Sequence, residues 1–496
     1  MKHRLAILTI LFLLVCTACR VKPTAQETET LQAQTQETSA ASATLPEGSS
    51  QTEGDQLTQT ETPKPDSTAV LDGPWLVYPA PDGSGIHAFD VEEEVILEIA
   101  LPEPVYTGDL IAGLSPNGQT LILRAGSPSN TDELALYQVD FPSGEVSKIT
   151  PLLSITNQRA FINGDDEQAR TTFLAVTRAD GIAWSPDGHY FAFTAALDNR
   201  SSDLYVLNTA TDHIGRLNGL YVQSASPFWA PQSNWLVTQE LSSSEAETGW
   251  RSEFVEVISF PDYSNQYTLY VPSSLSQDEI FVGWINVQSF LSCTQLAEGY
   301  RTLRQVNVES IYVGLRFKNS FRDIAFDPES GYLALVLNDD DALQLNLMAG
   351  VYLLTPDSAA PQLQRAGDWH DLRWDPSGAF ITSGSQGVFA FTPEGEGLVI
   401  RGESGLEISP NGNWMIGWGD GEDTSAGARL YQYPSGNLLQ QITDQIITSV
   451  YWLSDSKTIF IQSEGALYRL AFPELNLVLI EGGFSDDDPI DFIWVE

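Results

Sequence analysis

The stretch Trp184-Ser185-Pro186-Asp187-Gly188, followed by Tyr190-Phe191-Ala192-Phe193, decides the fold. An apolar run ends in a tryptophan, a short polar turn follows, and a second apolar run begins. Proline presets φ at the first turn position, aspartate tolerates the second, and glycine takes φ > 0 before the next strand. Aromatic residues on both sides are strand formers. The unit reads as a tight hairpin.

The same unit recurs along the chain. Copies are Leu114-Ser115-Pro116-Asn117-Gly118, Trp229-Ala230-Pro231-Gln232-Ser233 and Phe326-Asp327-Pro328-Glu329-Ser330-Gly331. Two more are Trp374-Asp375-Pro376-Ser377-Gly378 and Ile408-Ser409-Pro410-Asn411-Gly412. Trp452-Leu453-Ser454-Asp455-Ser456 has lost its proline, and Trp284-Ile285-Asn286-Val287 is weaker still and reads either as a unit or as an excursion. Neighbouring prolines lie 45 residues apart at Pro186 and Pro231, and 48 apart at Pro328 and Pro376. That is the period of a four-stranded propeller blade.

Each unit has room for two more strands, as in Asp203-Leu204-Tyr205-Val206-Leu207 followed by Ile214-Gly215-Arg216-Leu217. On these residues the repeats resemble the WD-like propeller repeats of the TolB family and of the dipeptidyl peptidase and prolyl oligopeptidase families. The resemblance runs from about residue 73 onward and implies an all-β fold. Counting first strands gives one propeller of eight or nine four-stranded blades. Asp491–Glu496 matches a first strand, whereas Trp75-Leu76-Val77-Tyr78 matches a second. The last strand is therefore expected to complete the first blade and close the ring.

Ahead of the repeats, residues 1–18 read as a lipoprotein signal peptide. Lys2 and Arg4 precede an apolar run from Leu5 to Val15, too short to span a bilayer. Cys16-Thr17-Ala18-Cys19 resembles a lipobox, with Cys19 the residue lipidated. Residues 19–70 hold Thr, Gln, Glu, Ser, Ala and Pro with no aromatic. Such a segment buries too little apolar surface to offset its ordering entropy, so a disordered tether is expected. The propeller domain is assigned to residues 71–496. An extracytoplasmic, membrane-anchored monomer follows from this reading.

Charge narrows the partners. The chain has 66 acidic and 24 basic residues, a formal net charge of −42. A nucleic-acid surface needs Lys and Arg against phosphates, so that class is excluded. Once Cys19 is processed, Cys293 is the one remaining thiol and reads as a small buried residue.

The peptidase families raise the question of a catalytic triad, but their serine lies in a separate hydrolase domain. The sequence has no Gly-x-Ser-x-Gly elbow and no metal-ligand spacing among its histidines. His189 and His213 read as turn residues. Trp184, Trp229, Trp374 and Trp452 read as core between blades.

Loops joining second to third strands share one face with the links between blades, and several are acidic. The binding face is expected to hold Asp165, Asp166 and Glu167 in the insertion at 151–180, with Asp198, Asp203 and Trp250. Asp339, Asp340 and Asp341, then Asp420, Glu422 and Asp423, complete it. Its ligand would be a basic protein or another envelope component. Calcium is the other option, though no calcium-loop motif is present, and no further cofactor is implied. The function expected is a non-catalytic surface-binding or scaffold lipoprotein, with a TolB-like role in envelope assembly as one form. The rival is a glycan-acting glycosidase or lyase with its site in the central pocket.

Overall fold

The computed structural model describes residues 73–496 apart from 107, 109, 127–132, 164–166, 199–200, 218–222, 244–249, 262–265, 270–275, 297–300, 311, 320, 357, 359, 376, 393–396, 420–425, 473–474, 476 and 486–488. The signal peptide, Cys19 and the tether lie outside the described residues.

Nine antiparallel sheets of four strands follow one another around a ring. In the third blade Ile182–Trp184 is innermost, then Tyr190–Ala195, Asp203–Asn208 and His213–Arg216. The expected eight or nine blades thus resolve to nine. The segment around Trp284 is no excursion but the inner strand, Ser276–Asn286, of a complete fifth blade. The ring closes as expected: Ile493–Val495 pairs with Trp75–Pro79, with Trp75 opposite Val495 and Val77 opposite Ile493.

Strand pleating explains why the second strands are apolar throughout. Trp75 and Val77 pack toward Leu121 and Leu123 of the second blade, whereas Leu76 and Tyr78 pack toward Phe460 of the ninth. Successive side chains point to opposite faces, and each face meets a neighbouring blade. The core is therefore a set of inter-blade layers around the ring. The outermost strands face water and keep exposed aliphatics such as Leu438, Leu439, Val478 and Leu479. Register shifts where these strands join their blades, at Leu430/Tyr431 and Leu467/Tyr468, twist the open edges.

The hairpin motif closes on itself. The Ser185 hydroxyl donates to Asp187 Oδ1 at 2.6 Å and accepts the Tyr190 N–H at 3.0 Å. Ser115 and Ser409 do the same with Asn117 and Asn411. Gly188 sits at φ 72°, where a side chain would be strained.

Trp184, Trp229, Trp284 and Trp452 stitch blades together through their indole nitrogens, whereas the buried Trp374 Nε1 has no partner among the described residues. Trp184 donates to the Gly113 carbonyl at 2.8 Å and Trp229 to the Ala183 carbonyl at 3.1 Å. Trp284 donates to Phe228 at 3.3 Å and Trp452 to Glu407 at 3.3 Å. Each bond runs to the inner strand of the preceding blade. Trp284 does in full what its weak motif left open.

Candidate functional site

Two regions gather functional chemistry: the face bearing the long loops, and the wall of the central channel. The loop face carries three helices. Helices α1 (Ile155–Asn163) and α2 (Glu167–Val176) form the insertion between the second and third blades. Ala175 of α2 packs on Ala225 and Leu241, so the insertion reaches over the fourth blade. The Asn157 amide donates to the carbonyls of Ala196 at 2.9 Å and Asp198 at 2.7 Å, tying α1 to the third blade. Ile155 and Ile162, seven residues apart and so on one side of the helix, are left exposed at 69% and 47%.

Helix α3 (Asp339–Leu345) occupies the loop between second and third strands of the sixth blade. The Asn338 side chain caps it by accepting the Asp341 N–H at 2.8 Å. Asp339, Asp340 and Asp341 lie in its first turn, where carboxylates meet the positive end of the helix dipole. Leu343, Leu347 and Met348 are exposed at 78%, 39% and 59%. The same face thus presents aliphatics beside carboxylates.

The expected acidic residues divide. Asp339 and Asp340 are exposed, as is Asp198, which pairs with Arg216 at 2.5 Å. Asp203 and Asp341, expected on the open surface, are buried. Asp203 also pairs with Arg216, at 2.8 Å; burial pushes its carboxyl up to about 6, against the pull of that guanidinium. Glu167 opens α2, and Trp250 opens the third strand of the fourth blade, opposite Ser243. Asp165, Asp166, Asp420, Glu422 and Asp423 lie outside the described residues. Among the described residues no group of three His, Cys, Asp or Glu side chains could hold a metal ion.

The channel wall was not singled out from the sequence. The inner strands of the seventh and eighth blades are Trp369–Trp374 and Gly405–Ile408. Neighbouring blades cover both faces of such a strand, so exposure left to its side chains is toward the axis. Arg373 donates to Glu407 Oε1 at 2.8 Å and to the Leu406 carbonyl at 2.5 Å, spanning the two blades. Buried Asp375 accepts the Ile408 N–H at 3.4 Å. Burial pushes the Glu407 carboxyl up to about 7; Arg373 opposes the shift and Asp375 adds to it. Above this cluster a bulge leaves Asp371 at φ 53°, 79% exposed, with its carboxylate on His370 Nδ1. A non-glycine residue at such φ is strained, and strain of this kind gathers at functional sites. Asp323 of the sixth blade accepts the Leu372 N–H at 2.7 Å and locks the strand from the other side.

No protein-family model matches the sequence, and no curated protein matches it. Solved structures do. A crystal structure of the eukaryotic initiation factor aligns at TM-score 0.52 and 13% identity, over 85% of this chain and 98% of its own. Porphyromonas gingivalis dipeptidyl peptidase 4 aligns at TM-score 0.49 and 12% identity, over 80% of this chain and 64% of its own. TolB from Acinetobacter baumannii aligns at TM-score 0.30 and 12% identity, over 59% and 63%. At these identities the likeness extends to the propeller fold alone.

Proposed function

We propose that this propeller is a binding or scaffold protein that engages a protein partner through the face carrying α1, α2 and α3. It would be held outside a bacterial membrane by lipidated Cys19. The observation that carries the reading is the pair of helical insertions with large exposed aliphatics, Ile155 and Ile162 on one and Leu343, Leu347 and Met348 on the other. Exposed apolar groups beside polar ones mark interaction surfaces. Asp339 and Asp340 beside Leu343, on a chain of net charge −42, favour a basic amphipathic partner. Photo-crosslinkers at Ile162 and Leu343 in the full-length chain, in native membranes, test this. The expected result is one shared adduct from both positions and none from Leu438 on the rim. An adduct from the rim alone, or none at all, overturns the reading.

One observation favours a glycan-acting enzyme as the second reading. A glutamate that keeps its proton to about pH 7, as Glu407 does beside Asp375, is in the state a general acid needs. Release of reducing ends from envelope glycans, abolished in Glu407→Gln, would support it; no release by the intact protein counts against it.

A further inference from the structure

Helix α1 buries none of its residues, so apolar packing does little to hold it on the propeller. Phe161 stacks on Phe173 of α2, with ring centroids 3.7 Å apart. Polar ties hold the first turn to the third blade. The Ser154 hydroxyl caps the helix by accepting the Asn157 N–H at 3.2 Å, and the Ser154 N–H donates to the Ala196 carbonyl at 2.8 Å. The Asn157 amide takes the carbonyls of Ala196 and Asp198. The seat of α1 is therefore as firm as the backbone at Ala196 and Asp198. A helix held in this way belongs to the low-stability end of a fold, where opening is local.

Asp198 is fixed in turn by a three-residue bridge. Arg216, the last residue of the outer strand, places Nη1 2.5 Å from Asp198 and Nη2 2.8 Å from Asp203. Asp203 opens the third strand and is 1% exposed, whereas Asp198 is half-exposed. One guanidinium thus joins a surface carboxylate to a buried one. Among the described residues, the titratable groups facing Asp203 are Arg216, Asp198 and Tyr205, with Ser201 beside them. The second blade meets this face with Leu134, Leu136 and Leu152, in one apolar cluster with Tyr205. In that setting burial pushes the Asp203 carboxyl up to about 6; Arg216 opposes the rise and Asp198 adds to it. Burial likewise pushes the Tyr205 hydroxyl up to about 12, so it stays neutral throughout.

Ionised, Asp203 anchors one arm of the guanidinium inside the fold, and the other arm holds Asp198. Protonated, it offers no counter-charge, and Arg216 keeps only the half-exposed Asp198, a weak kind of pair. The two side chains then swing together, and the carbonyl that Asn157 grips moves with them. We propose that the Asp198–Arg216–Asp203 bridge is a proton-operated brace for α1, engaged when Asp203 is ionised, that makes docking on the loop face pH-dependent. The docking half rests on the function proposed above. A helix already seated loses less freedom when a partner binds it, so binding is tighter with the brace engaged. For the fold as a whole the sign is opposite. Between 3.8 and about 6 the folded state binds more protons than the unfolded one, so global stability falls as pH rises while the brace engages.

Hydrogen exchange of the full-length chain, read by mass spectrometry with labelling times scaled to the intrinsic rates, tests the brace without any partner. The two conditions are about pH 5 and about pH 7.5, on either side of the Asp203 value. Protection of Ile155–Asn163 is expected to be about threefold higher at the upper pH, the scale of one partly exposed ion pair. Helix α3, on the sixth blade, is the reference and should not change. Asp203→Asn should lower α1 protection at the upper pH to the level seen at the lower one and flatten the profile. Arg216→Gln should do the same, and decides the matter if the first variant fails to fold. Crosslinking from Ile162 reads docking separately, with the higher adduct yield expected at the upper pH. Equal α1 protection at both pH values, an unaltered pH dependence in both variants, or a parallel change in α3 would overturn the brace. A flat profile beside an undiminished adduct strikes the brace and leaves the docking face standing. A switching profile with no adduct upholds the brace and sinks the docking reading.

Discussion

The hydroxyl oxygen of Ser456, in the first turn of the ninth blade, accepts the backbone N–H of Asn411 in the eighth at 2.9 Å. Ser233 does the same for Asp187 across the third and fourth blades, at 3.2 Å. Both serines stand where other blades have glycine, and both adopt the glycine-like φ, 57° and 58°. Strain is accepted locally and a cross-blade bond offsets it.

Two substitutions separate these terms. Ser456→Ala loses the bond and keeps the strain, and is expected to cost about 1–2 kcal/mol. Ser456→Gly loses the bond and relieves the strain, so it should cost less. Urea denaturation midpoints measure both; equal losses would mean that the left-handed backbone carries no strain.

The indole bonds predict a second contrast. Trp452→Phe removes a donor bonded to the Glu407 carbonyl and is expected to cost about 1–3 kcal/mol. Trp374 Nε1 is buried with no partner among the described residues, so Trp374→Phe should cost less. A larger loss for Trp374→Phe would contradict the stitching role.

A third prediction concerns the eighth blade. Glu403 receives two bonds from Arg429, both at 2.5 Å, and one from the Tyr431 hydroxyl, all of them buried. Glu403→Ala leaves the guanidinium without its counter-charge and is expected to cost about 3–5 kcal/mol. Replacing both partners with Leu and Met should recover most of the loss, which a double-mutant cycle would reveal.

The Glu407 carboxyl sets a pH dependence. Folded, it holds its proton to about 7; its ordinary value is 4.5. Between those values the folded state binds more protons than the unfolded one, so stability falls as pH rises through that window and levels off above it. The contribution lost is at most about 3 kcal/mol. Denaturation midpoints of Glu407→Gln against pH should show a shallower decline than wild type. Parallel profiles would remove Glu407 as the source.

On the loop face, Leu343→Glu should leave the melting temperature unchanged, because the side chain is exposed, while abolishing the shared crosslink. A fall in stability would mean that Leu343 packs within the fold.

The architecture was legible wherever proline and glycine mark the hairpin. It faded at Trp284, because Val287 and Gln288 turn the chain between Asn286 and Ser289 without a positive φ, so no glycine marks the hairpin. The run Asn338–Asp341 reads as a polar loop if only its charges are counted. The cap Asn338 ahead of Ala342-Leu343-Gln344-Leu345 was a helix signal in plain sight. Arg373 and Glu407 were not legible at all: 34 positions apart in sequence, they meet only because the seventh and eighth blades are neighbours.

The closing pair has a kinetic consequence. Trp75 finds its inner partner only at Val495, across nearly the whole array. Contacts so distant in sequence carry a large loop-closure entropy and form late. Eight blades can assemble from local hairpins while the first still has a bare inner edge, a template for pairing with another copy. Refolding should therefore end in a slow locking step, and dilution, by disfavouring intermolecular capture of that edge, should raise its yield.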